Sequence, residues 1–463
     1  YGFGIGMINS AADVMQDVLQ RVPLCEYGVP LDAPSVEILW ILTASLFPVG
    51  GICGSLLVGK FLAKFGRRNT LIYIQSLCLT SAILMSTAYL SHSYESVIIG
   101  RFLMGMFCAL VLGNGPIYVS EILPPHLRAP IGSLFSVSIG LGIMLGNVLG
   151  FQQVLGTTTG WPILLSLNVV PSLIFLSYCW RMPKSPRSLY FDHNKPEEAR
   201  KVLQRLYGTD DVSKQIEQYR IEAETMSKRK ILSPKQVLTS RKVKWQLISG
   251  LVICVGFQFT GINGIFFYLN TLLTVAGIPE EIMDYVTIGF VSMEFLGAFA
   301  GVNGVTFAFE MMKYILLSNK LGRKTMLLAG YSISMCSMII YTLATAYQPS
   351  VDWLSYVSVV GGVGMIFGFA IGPGPITYVI IPELLDQSAR PTVMMFSSLS
   401  LWVCFTIISV VTPYLFDYLK FAAFLPFAAI LFLAILYVWF VVPETKGKSV
   451  LAIQMYFSKW NKI

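Results

Sequence analysis

Residues 38–90 read ILWILTASLFPVGGICGSLLVGKFLAKFGRRNTLIYIQSLCLTSAILMSTAYL. Two uncharged apolar runs, 38–59 and 69–94, flank a short basic interruption carrying Lys64, Arg67 and Arg68. The hydrocarbon core of a bilayer takes about 20 apolar residues per helix, so each run reads as one membrane span and the basic group as the connection between them. The pattern repeats outward along the chain, with uncharged runs at 102–120, 129–180, 245–279, 325–351, 353–382, 391–416 and 421–443. The run 129–180 is long enough for two helices, broken in the stretch Gly156 to Pro162 where Thr157, Thr158 and Thr159 interrupt it. A partial first span at Tyr1–Asn9, read as truncated, and the less tidy region 285–319 bring the expected total to twelve, an all-α membrane protein.

Composition points the same way. Of 463 residues, 55% are hydrophobic and 13% charged, about half the roughly 25% charge of a soluble chain; the mean hydropathy is +0.66. Of the 58 charged residues, 23 fall in Met182–Lys244 alone. These figures exclude an ordinary soluble enzyme, a disordered chain and a secreted disulfide scaffold. Seven of the eight cysteines lie in apolar stretches, no CxxC or Cys/His cluster occurs, and His92, His126 and His193 are far apart. Neither a metal site nor a disulfide framework is expected. No nucleophile–base constellation is visible either, so the reading includes no enzyme activity and no cofactor. The net charge of +8 does not indicate nucleic acid, because the cations crowd into short segments between apolar runs, as orientation in a bilayer requires.

Segments following even-numbered spans carry Lys64, Arg67 and Arg68; Arg128; the basic 182–244 region; Arg323 and Lys324; Arg390; and Lys446 and Lys448. Those following odd-numbered spans carry acids such as Asp13, Glu26, Glu95, Glu280, Asp352 and Asp417. The positive-inside rule then predicts that both termini and the 182–244 segment are cytoplasmic, and a plasma-membrane location is expected. The division is an N-terminal half at 1–181, a cytoplasmic helical linker at 182–244, a C-terminal half at 245–443 and a tail at 444–463. Within the linker, Asn194 to Glu197 (NKPE) resembles a helix start with an Asn cap,.

The halves repeat each other. Gly66, Arg67 and Arg68 return as Gly322, Arg323 and Lys324, offset 256; Glu121 and Arg128 return as Glu383 and Arg390, offset 262; PKSPR at 183–187 faces PETKG at 443–447, offset 260. A nearly constant offset signals a parallel duplication of two transporter halves. The ordered series GFGIGMIN, FGRRN, GRF, YVSEILPPHLR, PKSPRSL, FQFTGIN, LGRK, GPGPI, PELLDQSARP and VPETKG resembles the sugar porters of the major facilitator superfamily, and among them the animal facilitative glucose transporters. Carboxylates and guanidinium groups at helix ends form bidentate, charge-assisted bonds. Glu121 and Glu383 are therefore expected to meet Arg67, Arg68, Arg101, Arg128, Arg323 and Arg390 in a cytoplasmic gate that latches the halves in one state and releases them in the other.

A pathway for polyols needs polar groups near the midplane. Span 7 supplies Gln258, Thr260 and Asn263; on a continuous helix, residues five apart differ by about 140°, so Gln258 and Asn263 would flank one face. The GPGPI run at 372–376 predicts a broken span 10, followed by Thr377 and Tyr378, and Trp402 in span 11 offers a flat ring for a sugar. The resemblance places sugar contacts and gates at Gln258, Asn263, Tyr268, Tyr378 and Trp402. Against the family pattern, Ser136 and Phe257 stand where it has glutamines, Ala370 where it has an acid, and Leu401 and Phe405 where it has asparagines. Gly4 occupies the position of the carboxylate that proton-coupled relatives use, and the stretch from Thr287 to Arg323, with Glu294, Glu310 and Lys313, exceeds the family length by about a dozen residues. The resemblance therefore implies passive uniport of a hexose or similar small polar solute by alternating access. Alternatives are a carrier for another small organic solute, a polyol or organic anion, and a solute sensor that does not transport.

Overall fold

A computed structural model of the chain describes residues 1–10, 12, 14–17, 32–91, 93–227, 232–303, 322–386, 388–448 and 450–461. All regular structure among these residues is helical. In chain order the helices are α1 (Gly2–Ser10), α2 (Ala33–Ser91), α3 (Tyr94–Ile122), α4 (Pro125–Leu149), α5 (Trp161–Ser166) and α6 (Val169–Tyr178). A linker series follows: α7 (Pro186–Phe191), α8 (Pro196–Tyr207), α9 (Ser213–Ser227) and α10 (Pro234–Thr239). Then come α11 (Lys244–Phe259), α12 (Ile262–Phe267), α13 (Leu269–Val275), α14 (Glu280–Asn303), α15 (Arg323–Tyr347), α16 (Leu354–Ile371), α17 (Pro373–Glu383), α18 (Arg390–Leu419), α19 (Leu425–Phe440) and α20 (Val450–Asn461).

Seven helical segments among the described residues are long and apolar enough to cross a bilayer, and Val137–Leu149 and Leu425–Phe440 are shorter apolar helices. One of the seven, Pro34–Ala88, is 55 residues long, about 80 Å if straight at 1.5 Å per residue and so two spans. The chain turns between them at Gly66, whose φ of 73° and ψ of 172° leave the helical region. A side chain there would be strained by the left-handed φ and would also press on Ser188 and His193. The sequence FGRRN thus bends the chain and sets Arg67 and Arg68 at the mouth of the second span.

By contacts the chain forms two compact units, one of 16–138 and 158–230 with Tyr1, the other of 2–15, 139–157 and 231–463. In the first, Leu71, Ile74, Leu110 and Tyr118 form a buried cluster between α2 and α3. In the second, a larger core gathers Ile253, Leu327, Tyr331, Ile380, Val393, Leu431 and Val438 from α11, α15, α17, α18 and α19. Large apolar side chains also cover outward faces, including Leu433, Trp439 and Phe440 on α19 and Ile174 and Tyr178 on α6. Lipid is as apolar as these side chains, so a helix that is hydrophobic all round is at no disadvantage there.

The linker helix α8 begins one residue later than the Asn194 cap expected from NKPE: its cap is Lys195, with no side-chain cap bond. Pro196 at the first helical position explains the shift. It disfavours helical geometry at the residue before it, and Asn194 turns into the left-handed region at φ 53°. By contrast α10 carries a complete capping box between Ser233 and Gln236.

Candidate functional site

All five expected solute contacts lie in the second unit, and two breaks in otherwise apolar spans position them. Span 7 is not one helix: α11 ends at Phe259, and Gly261 (φ 84°) restarts it as α12. The 140° separation expected of a continuous helix therefore does not hold. The break swings Asn263 back toward Gln258, and the Asn263 Nδ2 donates to the Gln258 Oε1 at 2.5 Å. The Gln258 Nε2 donates in turn to the Leu401 carbonyl at 2.8 Å. Both amides are buried. Span 10 also breaks as its prolines demand: α16 stops at Ile371, Gly372 leaves helical geometry, and α17 starts at Pro373.

Around the amide pair the walls are aromatic. Trp402 is buried and stacks on Phe405, centroids 6.0 Å apart at 25°, and Phe405 in turn packs on Phe267 at 5.2 Å. Tyr268 is held by its hydroxyl, which donates to the Ser409 carbonyl at 2.6 Å. On the other flank Phe257 meets Phe369 at 4.9 Å and Tyr378 at 6.1 Å, both edge-on. Tyr378 is the exposed member of the five, at 56%. The replacements Phe257 and Phe405 thus fill space with ring against ring where the family pattern has hydrogen-bonding groups, and the Leu401 carbonyl takes a bond from Gln258. The Thr377 hydroxyl oxygen is buried beside this group with no partner among the described residues. The side chain of Ser136 lies outside the described residues.

A second polar group was not anticipated from sequence. Asn9 on α1 donates to Asn147 at 3.4 Å and to Asn270 at 3.3 Å, and the Asn270 backbone N–H donates back to Asn9 at 3.3 Å. Asn9 and Asn147 are almost completely buried. The signal was present, since an amide inside an apolar span is costly unless it has a partner or a task.

The charged residues of the expected gate sort into two similar trios. In the first unit the Arg67 Nε lies 3.1 Å from the Glu121 Oε2, and the Ser185 hydroxyl donates to the same oxygen at 2.5 Å. Arg67 also pairs with Asp192. In the second unit the Arg323 Nε lies 3.8 Å from the Glu383 Oε2, and the Thr445 hydroxyl donates to that oxygen at 2.5 Å. Ser185 and Thr445 are themselves 260 apart, so the duplication includes a hydroxyl that charge-counting passed over. Each carboxylate is paired inside its own unit.

The remaining gate candidates have other partners. Arg68 donates to the Cys179 and Trp180 carbonyls, and Arg390 to the Leu385 carbonyl at 3.2 Å. Arg101 stands apart: it is fully buried over the Phe47 ring, 4.6 Å to the centroid, and its Nε donates to the Thr43 carbonyl. It precedes Glu121 on α3 by about 30 Å of helix, so the two cannot meet, and its place in the gate is withdrawn. The Arg128 side chain, and Glu310 and Lys313 entirely, lie outside the described residues.

With this geometry in hand, comparisons with known proteins identify the scaffold. A family model described as "Sugar (and other) transporter" matches residues 1–457. The human "Solute carrier family 2, facilitated glucose transporter member 5" is 34% identical over 464 residues, covering all of this chain and 90% of that protein. The mouse member 7 is 32% identical over all of this chain and 88% of its own length. Among solved structures, the partially occluded inward-open xylose transporter XylE from E. coli superposes with a TM-score of 0.76 at 20% identity, covering 97% of this chain and 96% of that one. A related structure, described as a major facilitator superfamily proton:xylose symporter, gives 0.73.

Proposed function

Because the chain belongs to the sugar transporter family and has the major facilitator fold, we propose that it carries a hexose or similar small polar solute passively across the membrane by alternating access. The observation that carries this reading is the Gln258–Asn263 amide pair, buried where spans 7 and 10 are both interrupted. A broken helix brings backbone and amide groups to a cavity at membrane depth, which is where such carriers hold their solute. Gln258 has its carbonyl and one N–H engaged, so it orients Asn263 more than it offers itself. The Asn263 Oδ1 then remains as an acceptor for a solute hydroxyl, and the Trp402 face and Tyr378 edge enclose the apolar side of a ring.

The passive assignment rests on Gly4, where no carboxylate replaces the one expected of a proton-coupled relative, and on the facilitated transport named in its relatives. The lysine and arginine distribution supports cytoplasmic termini,. The two Arg–Glu–hydroxyl trios are proposed to be the switchable elements of the gate, intact in one access state and opened in the other. Phe257, Ala370, Leu401 and Phe405 favour a second reading, a solute with fewer hydroxyls than a hexose, because a site with fewer hydrogen-bond partners loses its power to reject less polar analogues.

Uptake of a panel of labelled hexoses, polyols and organic anions into liposomes tests both readings. Saturable hexose uptake supports the first. Silence toward hexoses with saturable uptake of another solute supports the second, and silence throughout supports a sensor that does not transport.

A further inference from the structure

The first unit holds a cavity of about 240 Å³, room for about eight waters at about 30 Å³ each. It lies where the α2 turn meets the start of the linker, and no carboxylate among the described residues lines it. Five cations do: Lys64, Arg67, Arg68, Lys184 and Lys195. Three carboxylates neutralise them from outside the cavity. Glu121 and Asp192 are both spent on Arg67, and Glu198 is shared between Lys184 at 3.6 Å and Lys195 at 2.7 Å. Among the described residues, five cations against three carboxylates leaves a surplus of two. Lys64 has only the Phe65 ring, 5.2 Å away, as a partner among the described residues.

Neutral donors complete the lining. The Ser188 hydroxyl accepts from Arg67 at 3.2 Å, which leaves its own hydrogen to give inward, and Asn69 and His193 also line the space. This arrangement has many donors, few acceptors and two uncompensated positive charges. It suits a compact dianion with three acceptor oxygens, and a phosphomonoester carries about −1.5 to −2 at neutral pH. A carboxylate would leave half the surplus unanswered. We propose that this cavity binds a phosphomonoester group, carried by a lipid headgroup or free in solution.

Bound there, the phosphate would fasten the linker segment 184–195 to the turn of α2 at Gly66, beside the Arg67–Glu121–Ser185 trio. The site is separate from the solute pocket, and its test does not read transport, so absence of sugar uptake would leave it standing. The experiment measures the melting temperature of the purified full chain in detergent against inorganic phosphate, and against dioctanoyl phosphatidic acid, with chloride and dioctanoyl phosphatidylcholine as controls. A saturable rise with a monoester probe and none with the controls is expected. A rise with the lipid alone assigns a membrane headgroup, and a rise with inorganic phosphate as well assigns a soluble source; either supports the site.

The variant Lys64→Gln/Lys184→Gln should weaken binding about 25-fold, about fivefold for each lysine removed near an anionic group. Lys64→Arg/Lys184→Arg keeps the charge and should bind like the parent. If the double Gln variant does not survive purification, Lys195→Gln at a half-exposed side chain should weaken binding about fivefold. No saturable rise with either monoester probe, or an unchanged affinity in the charge-removing variants, overturns the proposal.

Discussion

Gly261 decides what Gln258 and Asn263 can do. On an unbroken helix they would point about 140° apart; with φ at 84° the chain reverses its local path and they meet at 2.5 Å. An alanine at 261 meets the left-handed penalty of about 1–2 kcal/mol and presses on the Met338 Cε at 3.1 Å. Gly261→Ala should therefore lower thermal stability by about that amount and weaken solute binding, because the strain is relieved most easily by rewinding span 7 and separating the amides. Asn263→Ala is the complementary test. It strands the Gln258 Oε1 in a buried site, where an unsatisfied acceptor costs about 1–3 kcal/mol, and it removes the free acceptor, so solute affinity in uptake assays should fall about tenfold or more. The residue types were legible in FQFTGIN, but their meeting was not. A pattern read at 3.6 residues per turn contains no sign that one glycine takes positive φ.

The repeated element is an arginine, a glutamate and a hydroxyl at the ends of duplicated spans. Its first copy is the more buried: the side chains of Arg67 and Glu121 are 16% and 7% exposed, those of Arg323 and Glu383 33% and 32%. Removing one partner of a buried pair leaves the other uncompensated, and an exposed pair is screened. Glu121→Gln leaves Arg67 only the more exposed Asp192 and should thus cost about 1–2 kcal/mol of stability, scaled down from the about 3–5 of a fully buried pair, and Glu383→Gln about 1 or less. Melting temperatures of the two variants in the same detergent check the order; a larger loss for Glu383→Gln would refute the argument. The linker has a pH response of the usual carboxylate sign. Hydrogen bonding from Lys195 holds the Glu198 carboxyl below its ordinary range. Its folded value lies under the unfolded value of about 4.3, so its contribution is full above that pH and is lost as pH falls through the folded value. Protection factors of the α8 amides, that is exchange rates corrected for their intrinsic pH dependence, should be flat from pH 5 to 8 and should fall only in more acidic solution. Spans, breaks at GPGPI and the duplicated Arg and Glu were all readable, because charge and proline have few alternatives inside a bilayer. Ser185 and Thr445 were not, since a hydroxyl beside a helix end is common and only proximity gives it a role. Arg101 was misplaced for the opposite reason: its charge suggested the gate, but its position on α3 puts it at the far end of the helix.

At the scale of the whole molecule, the question is whether transport draws on a proton gradient. A pH difference of one unit is worth about 1.4 kcal/mol per proton, so a one-to-one symporter would concentrate its solute about tenfold, whereas a passive carrier stops at equal concentrations on both sides. With Gly4 in place of a carboxylate on α1, the candidate proton carrier among the described residues is Glu294 on α14, whose Oε2 is buried without a hydrogen-bond partner. Around it α14 passes close to α4: a Cβ on Gly140 would stand 3.0 Å from the Phe295 Cα, so α4 covers that flank of α14. A proton that cannot reach and leave its acceptor from both sides does no coupling work. Liposomes loaded at one pH unit of difference should consequently reach an internal-to-external solute ratio of one, in either direction of the gradient, and Glu294→Gln should reach the same ratio. Accumulation toward tenfold that disappears in Glu294→Gln would instead make Glu294 the coupling residue and the protein a symporter.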